Sequence, residues 1–197
     1  MTAGVVLAAG GSRRLGANKL LLAIDGEPLV HRVARCALDA GLEPVVVVLR
    51  AGDGAARAAL ADLPVVACSP RAEDHSQRNS LTAGLDALPA KVATAIVLLA
   101  DMPLVTPRML HTLEHRATSE IAAVASSYGG TLAPPVLLRR SVFSEISKAP
   151  RGSLARQLVQ TLGRAACVAE WPTDLLVDVD TPADWERVRH LLSGGPA

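Results

Sequence analysis

Continuous apolar runs of strand length, separated by segments of helical period, constrain the fold of this chain most. AGVVLA at residues 3–8, PVVVVL at 44–49 and AIVLLA at 95–100 contain no polar side chain. Strands apolar on both faces are buried on both faces, which requires a parallel sheet covered by helices on each side. Pro64–Cys68 reads as another strand. Between these runs, residues 28–40 place Leu29, Val33, Cys36, Ala37 and Ala40 on one helical face, and Gly41 stops that helix. Shorter helices are expected over 54–61 and 80–88, after a polar loop at 69–78.

The second half is less periodic. Thr106–Pro107 and Thr181–Pro182 each pair a capping hydroxyl with proline at the first helical position, and Asp184 completes a capping box with Thr181. Residues 121–125, 135–138 and 165–169 are expected strands, with a helix near 153–161. The expected architecture is one three-layer α/β domain over residues 1–192, with a mostly parallel sheet between two helical layers and a flexible tail at 193–197.

Ligands in such sheets bind beyond the carboxyl ends of the strands. Three places qualify, at Gly10, Asp101 and Asp178. The first opens the segment LAAGGSRRLGANKLLL (7–22), where Gly10, Gly11 and Gly16 alternate with Arg13, Arg14 and Lys19. Glycines let backbone N–H groups converge on an anion, and the basic side chains supply the charge that a triphosphate requires. Ala8 and Ala9 leave room for a flat base against the strand end, and Leu7 before them is counted with the nucleotide-binding segment. A Walker A loop needs lysine directly after its last glycine, but Ala17 and Asn18 intervene here; G-x-G-x-x-G is absent as well. The loop is a phosphate cradle of another kind.

A triphosphate is accompanied by magnesium, which takes carboxylate oxygens. Asp101 follows AIVLLA directly. Asp178 and Asp180 alternate along an expected short strand, which is read as sending them to opposite faces so that only one readily reaches a metal. His111 and His115 lie in H-x-x-E-H, an inverted zinc-site spacing, but no third ligand is signalled and a solvated helix face accounts for them.

A net charge of +1 and only two Trp, one Tyr and one Phe argue against binding nucleic acid. Cys36, Cys68 and Cys167 are far apart and odd in number, and read as buried thiols of a reducing compartment. No apolar run reaches the ~20 residues of a membrane span. A cytoplasmic protein is expected.

The spacing L-A-A-G-x-S-x-R-L-G-x-x-K-L-L, with Ala100-Asp101-Met102-Pro103 and Val177-Asp178-Val179-Asp180-Thr181-Pro182, resembles the MobA-like nucleotidyltransferases, which attach CMP or GMP to molybdopterin. The resemblance implies a Rossmann-like fold of the nucleotide-diphospho-sugar transferase type. It implies Mg²⁺-dependent transfer of a nucleotide to a phosphorylated acceptor with release of pyrophosphate, Mn²⁺ being able to substitute. Gly10, Gly11 and Ser12 would hold the triphosphate through backbone N–H groups, and Arg14 and Lys19 would neutralise it. Asp101, with Asp178 or Asp180, would hold the metal, and Ser80 with Arg78 would lie near the base. L-A-A-G with Ala9 is the cytidylyl form, so CTP is favoured over GTP. Molybdopterin phosphate is the implied acceptor, and a molybdoenzyme or its chaperone the implied partner. In GTLAPPV (130–136) the histidine of the family's acceptor segment is absent, which leaves a sugar- or alcohol-phosphate acceptor open. A non-catalytic nucleotide-binding accessory protein is the alternative of a different class.

Overall fold

The computed structural model of the chain describes residues 1–10, 18–70, 76–148 and 153–192. In chain order the strands are β1 (Thr2–Ala8), β2 (Ala23–Ile24), β3 (Glu27–Pro28), β4 (Val45–Leu49), β5 (Val65–Cys68), β6 (Thr94–Leu99), β7 (Ala123–Tyr128), β8 (Thr131–Arg139) and β9 (Ala166–Trp171). The helices are α1 (Leu29–Asp39), α2 (Gly54–Ala58), α3 (Gln77–Asp86), α4 (Pro107–Arg116), α5 (Phe143–Lys148), α6 (Leu154–Leu162) and α7 (Pro182–Leu192). Seven strands form one sheet in the order β5-β4-β1-β6-β8-β7-β9, while β2 and β3 form a separate hairpin. All neighbours are parallel except at β8, which runs antiparallel to both β6 and β7.

The sheet separates two apolar layers. Val6 and Ala8 of β1 face α1, α2 and α4, whereas Val5 and Leu7 face α3, α5 and α6. This three-layer packing explains why β4 is apolar throughout and β1 and β6 are apolar after their first residue. Each Val or Leu so buried contributes roughly 1.5–3 kcal/mol relative to exposure. A third, smaller cluster joins Ile24 of the hairpin, Leu104, Val177, Val179 and Val188 of α7. It forms an apolar floor beside the carboxyl ends of β1 and β6.

Both expected caps form. Thr106 Oγ1 accepts from Met109 N at 3.4 Å, and Asp184 Oδ2 accepts from Thr181 N at 2.8 Å while Asp184 N donates to Thr181 Oγ1 at 3.2 Å. Gly41 adopts φ +70 after α1. Three details correct the sequence reading. The helix expected from residue 80 begins at Gln77, because Ser76 Oγ accepts from Asn79 N at 3.3 Å and caps it there. Helix α5, only six residues long, was not expected. The short strand expected to carry Asp178 and Asp180 does not form; residues 176–180 pair with no strand.

Helix α3 lies unusually close to the sheet. A Cβ at Gly84 would overlap Val5 Cγ1 and Val48 Cγ2, both on fully buried side chains. Gly84→Ala is therefore expected to lower stability by about 1–3 kcal/mol, despite alanine's better helix propensity. Chemical denaturation checks this; a stabilised variant would mean that α3 can move away from the sheet freely.

Candidate active site

The carboxyl ends of β1 and β6 are adjacent, in the register Leu7 opposite Leu99. Ala100 N donates to Leu7 O at 3.1 Å, so Asp101 emerges two residues beyond the last strand pair. On the other side, Asn18 opens a 3₁₀ turn, Lys19–Leu21, whose Leu20 is buried in the core. The chain then returns from α4, β7, β8, α6 and β9, and the segment after β9 crosses back over the sheet edge. Val179 N donates to Asp101 O at 3.0 Å and fastens that segment to the Asp101 turn.

Lys19 Nζ lies 2.6 Å from Asp101 Oδ2 and 2.7 Å from Asp180 Oδ1. Its side chain is 10 % exposed, and a buried ammonium of this kind must be paired. Burial opposes the charge, but the Asp101 carboxylate, and after it Asp180, outweigh burial and hold the ammonium above the usual lysine range. Lys19, Asp101 and Asp180, expected to share one site, therefore do so.

The expectation that Asp178 and Asp180 point to opposite faces is corrected. Residues two apart on an extended chain share a face. Val177 and Val179 are buried in the apolar floor, and both aspartates are exposed on the other side. The Asp178 carboxyl is pushed up to about 6 by loss of hydration, then by the negative Asp101 and Asp180, against Lys19. From about pH 4 to 6 the folded chain keeps a proton that the unfolded chain has lost, so this group costs stability as pH rises through that window. Asp178→Asn is thus expected to raise Tm near pH 7 in metal-free buffer and to leave it almost unchanged near pH 4. Thermal melts at the two pH values decide it; equal shifts would show that the three carboxylates do not repel one another.

A cleft opens beside this cluster, lined by Leu7, Ala8, Ala9 and Gly10 from the end of β1, by Lys19 and Asp101, and by Gln77 and Ser80 of α3. Ser80 is buried, and its hydroxyl donates to Ser76 O at 3.1 Å. Gln77 was missed by the sequence reading; the capping Ser76 before it was the signal, since it starts the helix early enough to bring Gln77 to the cleft. Arg78, expected near the base, is not brought there. One residue further on, a helix has rotated about 100°, and Arg78 lines a separate groove with Asn79, Thr82 and Arg140. Gly11, Ser12 and Arg14 of the proposed cradle lie outside the described residues, as does the tail at 193–197.

Among the described residues no group of three His, Cys, Asp or Glu side chains is disposed around one metal position. The donor set nonetheless suits magnesium. Two carboxylate oxygens converge on one point, now taken by an ammonium, and Mg²⁺ is commonly held by one or two carboxylates completed by substrate phosphate and water. In H-x-x-E-H, His111 Nε2 is 3.1 Å from Ala40 O and occupied in packing. The three thiols are free and partly buried; Cys36 is pushed up to about 12, chiefly by burial. No helix among the described residues is long and apolar enough to cross a membrane.

The strand order, with the cleft at the ends of β1 and β6, is that of the nucleotide-diphospho-sugar transferase fold. Residues 4–167 match the MobA-like NTP transferase domain, and the chain belongs to that family. It is 30% identical over 200 residues to the purine catabolism protein PucB of Bacillus subtilis, covering 96% of this chain and 97% of that one. It is 29% identical to a probable molybdenum cofactor guanylyltransferase of Natronomonas pharaonis, over 96% and 98% of the two chains. Rv0371c of Mycobacterium tuberculosis superposes with TM-score 0.83 at 25% identity, over 96% and 97% of the chains. Its complex with manganese superposes at 0.73 and 24%, over 96% and 98%. A CMP:2-keto-3-deoxy-manno-octonic acid synthetase complexed with CTP shares the fold at TM-score 0.77 and 21% identity, over 98% of each chain.

Proposed function

We propose that the chain transfers CMP from CTP to the phosphate of molybdopterin and releases pyrophosphate. The observation that carries this reading is the convergence of Lys19, Asp101 and Asp180 beside a cleft whose other wall is the end of β1. Asp101 and Asp180 would hold Mg²⁺, with Asp178 adding negative charge at its edge. Bound there, the metal would supply positive charge against the α-phosphate. Lys19 would leave the carboxylates for the β and γ phosphates, aided by Arg14, while backbone N–H groups of Gly10, Gly11 and Ser12 fix the chain of phosphates. An acceptor phosphate oxygen forms a bond to the α-phosphorus as the bond to the β-phosphate oxygen breaks. The acceptor is already ionised, so no general base is required, and positioning with charge stabilisation accounts for the rate.

CTP is preferred to GTP through Ala9, which is buried in the cleft wall where the family's cytidylyl form has alanine. The manganese complex of Rv0371c and the CTP complex of the octonic acid synthetase are consistent with this metal and nucleotide chemistry on the same fold. A second reading draws on the name of the B. subtilis relative, a purine catabolism protein: a nucleotide-binding accessory role without turnover. Pyrophosphate release measured for the four common NTPs, with molybdopterin and with sugar and alcohol phosphates, separates these. CTP with molybdopterin is expected to be fastest. Tight NTP binding with no pyrophosphate from any acceptor would establish the accessory role instead.

A further inference from the structure

Outside the cleft, a chain of hydrogen bonds reaches the base of Lys19 from the turn between β4 and α2. Asn18 caps the 3₁₀ turn that carries Lys19: its side-chain Oδ1 accepts from Leu20 N at 3.2 Å. Its Nδ2 donates to Asp53 Oδ2 at 3.0 Å. The other oxygen of Asp53, Oδ1, accepts from Ala56 N at 3.0 Å and caps α2, which follows β4. Asp53 is itself placed by a turn in which its N–H donates to Arg50 O at 3.1 Å and Gly52 adopts φ +80. Neither Asn18 nor Asp53 lines the cleft.

A lysine side chain has four rotatable bonds and gives up close to 2 kcal/mol of rotamer entropy when held in one place. The point from which it springs must therefore be fixed if its ammonium is to meet two carboxylates and later a polyphosphate. Leu20, buried in the core, fixes one end of the turn; the Asn18–Asp53 bond is what fixes the other.

We propose that Asp53 and Asn18 are positioning residues that set the location of the Lys19 ammonium, acting through the turn and touching no substrate. The functional consequence rests on the nucleotidyl-transfer reading above, whereas the structural consequence does not. Each side chain uses its two polar atoms differently, so the arrangement has a particular chemical signature. Asp53→Asn keeps an oxygen to cap α2 but turns an amide N–H₂ toward the N–H₂ of Asn18. Asn18→Asp keeps the cap on Leu20 but sets two carboxylates against each other. The exchange of both, Asn18→Asp with Asp53→Asn, restores the bond between the two side chains with donor and acceptor reversed and keeps both caps.

The test compares the native chain, the two single variants and the exchanged pair, each checked for folding by circular dichroism. Trace acetylation of Lys19, read by mass spectrometry without nucleotide, reports whether its ammonium is held. Both single variants are expected to label severalfold faster than the native chain, and the exchanged pair at the native rate. In the pyrophosphate assay the single variants should lose about 10- to 100-fold in kcat with little change in KM for the nucleotide, as displacement of a catalytic group by a remote change does. The exchanged pair should recover. If a single variant does not fold, recovery of native labelling by the exchanged pair still tests the bond. Equal labelling in all four proteins, or single variants slowed no less after exchange, would overturn the proposal. Absence of turnover in the native chain would overturn the nucleotidyl-transfer reading and leave the labelling result to decide the positioning role.

Discussion

Lys19→Ala is expected to bind divalent metal more tightly than the native chain when nucleotide is absent, and yet to turn over about 10²–10³-fold more slowly. Both effects have one cause. In the native chain an ammonium stands 2.6 and 2.7 Å from the carboxylates that would hold the metal, so a cation must first displace it. Removing the lysine removes that competitor and leaves two facing carboxylates uncompensated, an arrangement that a divalent cation relieves. Once a triphosphate is present, Lys19 has a second anion to pair with. Nucleotide and metal should then help each other bind in the native chain, and by linkage the assistance is reciprocal. In Lys19→Ala that coupling should largely vanish. Calorimetric titration of Mn²⁺ with and without CTP measures it directly. Weaker metal binding by the variant in the absence of nucleotide would show that the ammonium and the metal do not compete for one place.

The second large effect concerns the carboxylates. Asp101→Asn and Asp180→Asn should each lower turnover by about 10²–10³-fold, and the pair together by little more than either alone, because they act as one unit. Asp178→Asn should cost much less. Asp101 and Asp180 meet at the Lys19 ammonium, whereas Asp178 stands beside them and would act only through its charge. Pyrophosphate release at saturating Mg²⁺ and CTP ranks the three. A ranking with Asp178 above Asp180 would place the metal between Asp101 and Asp178, on the same side of the 177–180 segment. It would also require the present pairing of Lys19 to be unrelated to the loaded site.

Much of this fold is readable in the chain because its information is local. Residues 45–49 and 95–99 are apolar on both faces, a pattern that a doubly covered strand needs and few other elements do. Thr106 with Pro107, and Thr181 with Asp184, announce helices through hydrogen bonds made within four residues. Other features depend on distant partners. β8 is interrupted by Pro134 and Pro135, and its antiparallel course between β6 and β7 follows from a tight turn at Gly129–Gly130, where both glycines have positive φ. Helix α5 spans six residues, too few for a period to emerge. Arg78 was expected in a loop, but the cap at Ser76 starts α3 at Gln77 and puts Arg78 on the helix, one residue round from Gln77 and toward the other groove.

Lys19 and Asp101 stand out in the sequence as candidates for one site, from the glycine-rich segment, from the apolar run that ends before Asp101, and from their family pattern. Their meeting was not. Lys19 and Asp101 are 82 positions apart in the chain, and Lys19 and Asp180 are 161 apart. The second pairing exists only because the segment after β9 returns over the sheet edge, is fastened by Val179 N to Asp101 O, and buries Val177 and Val179 beneath it. That burial turns both aspartates of D-V-D outward together. Periodicity within a short window carries the course of each element, whereas the choice among carboxylates is made by packing between elements, which no window contains.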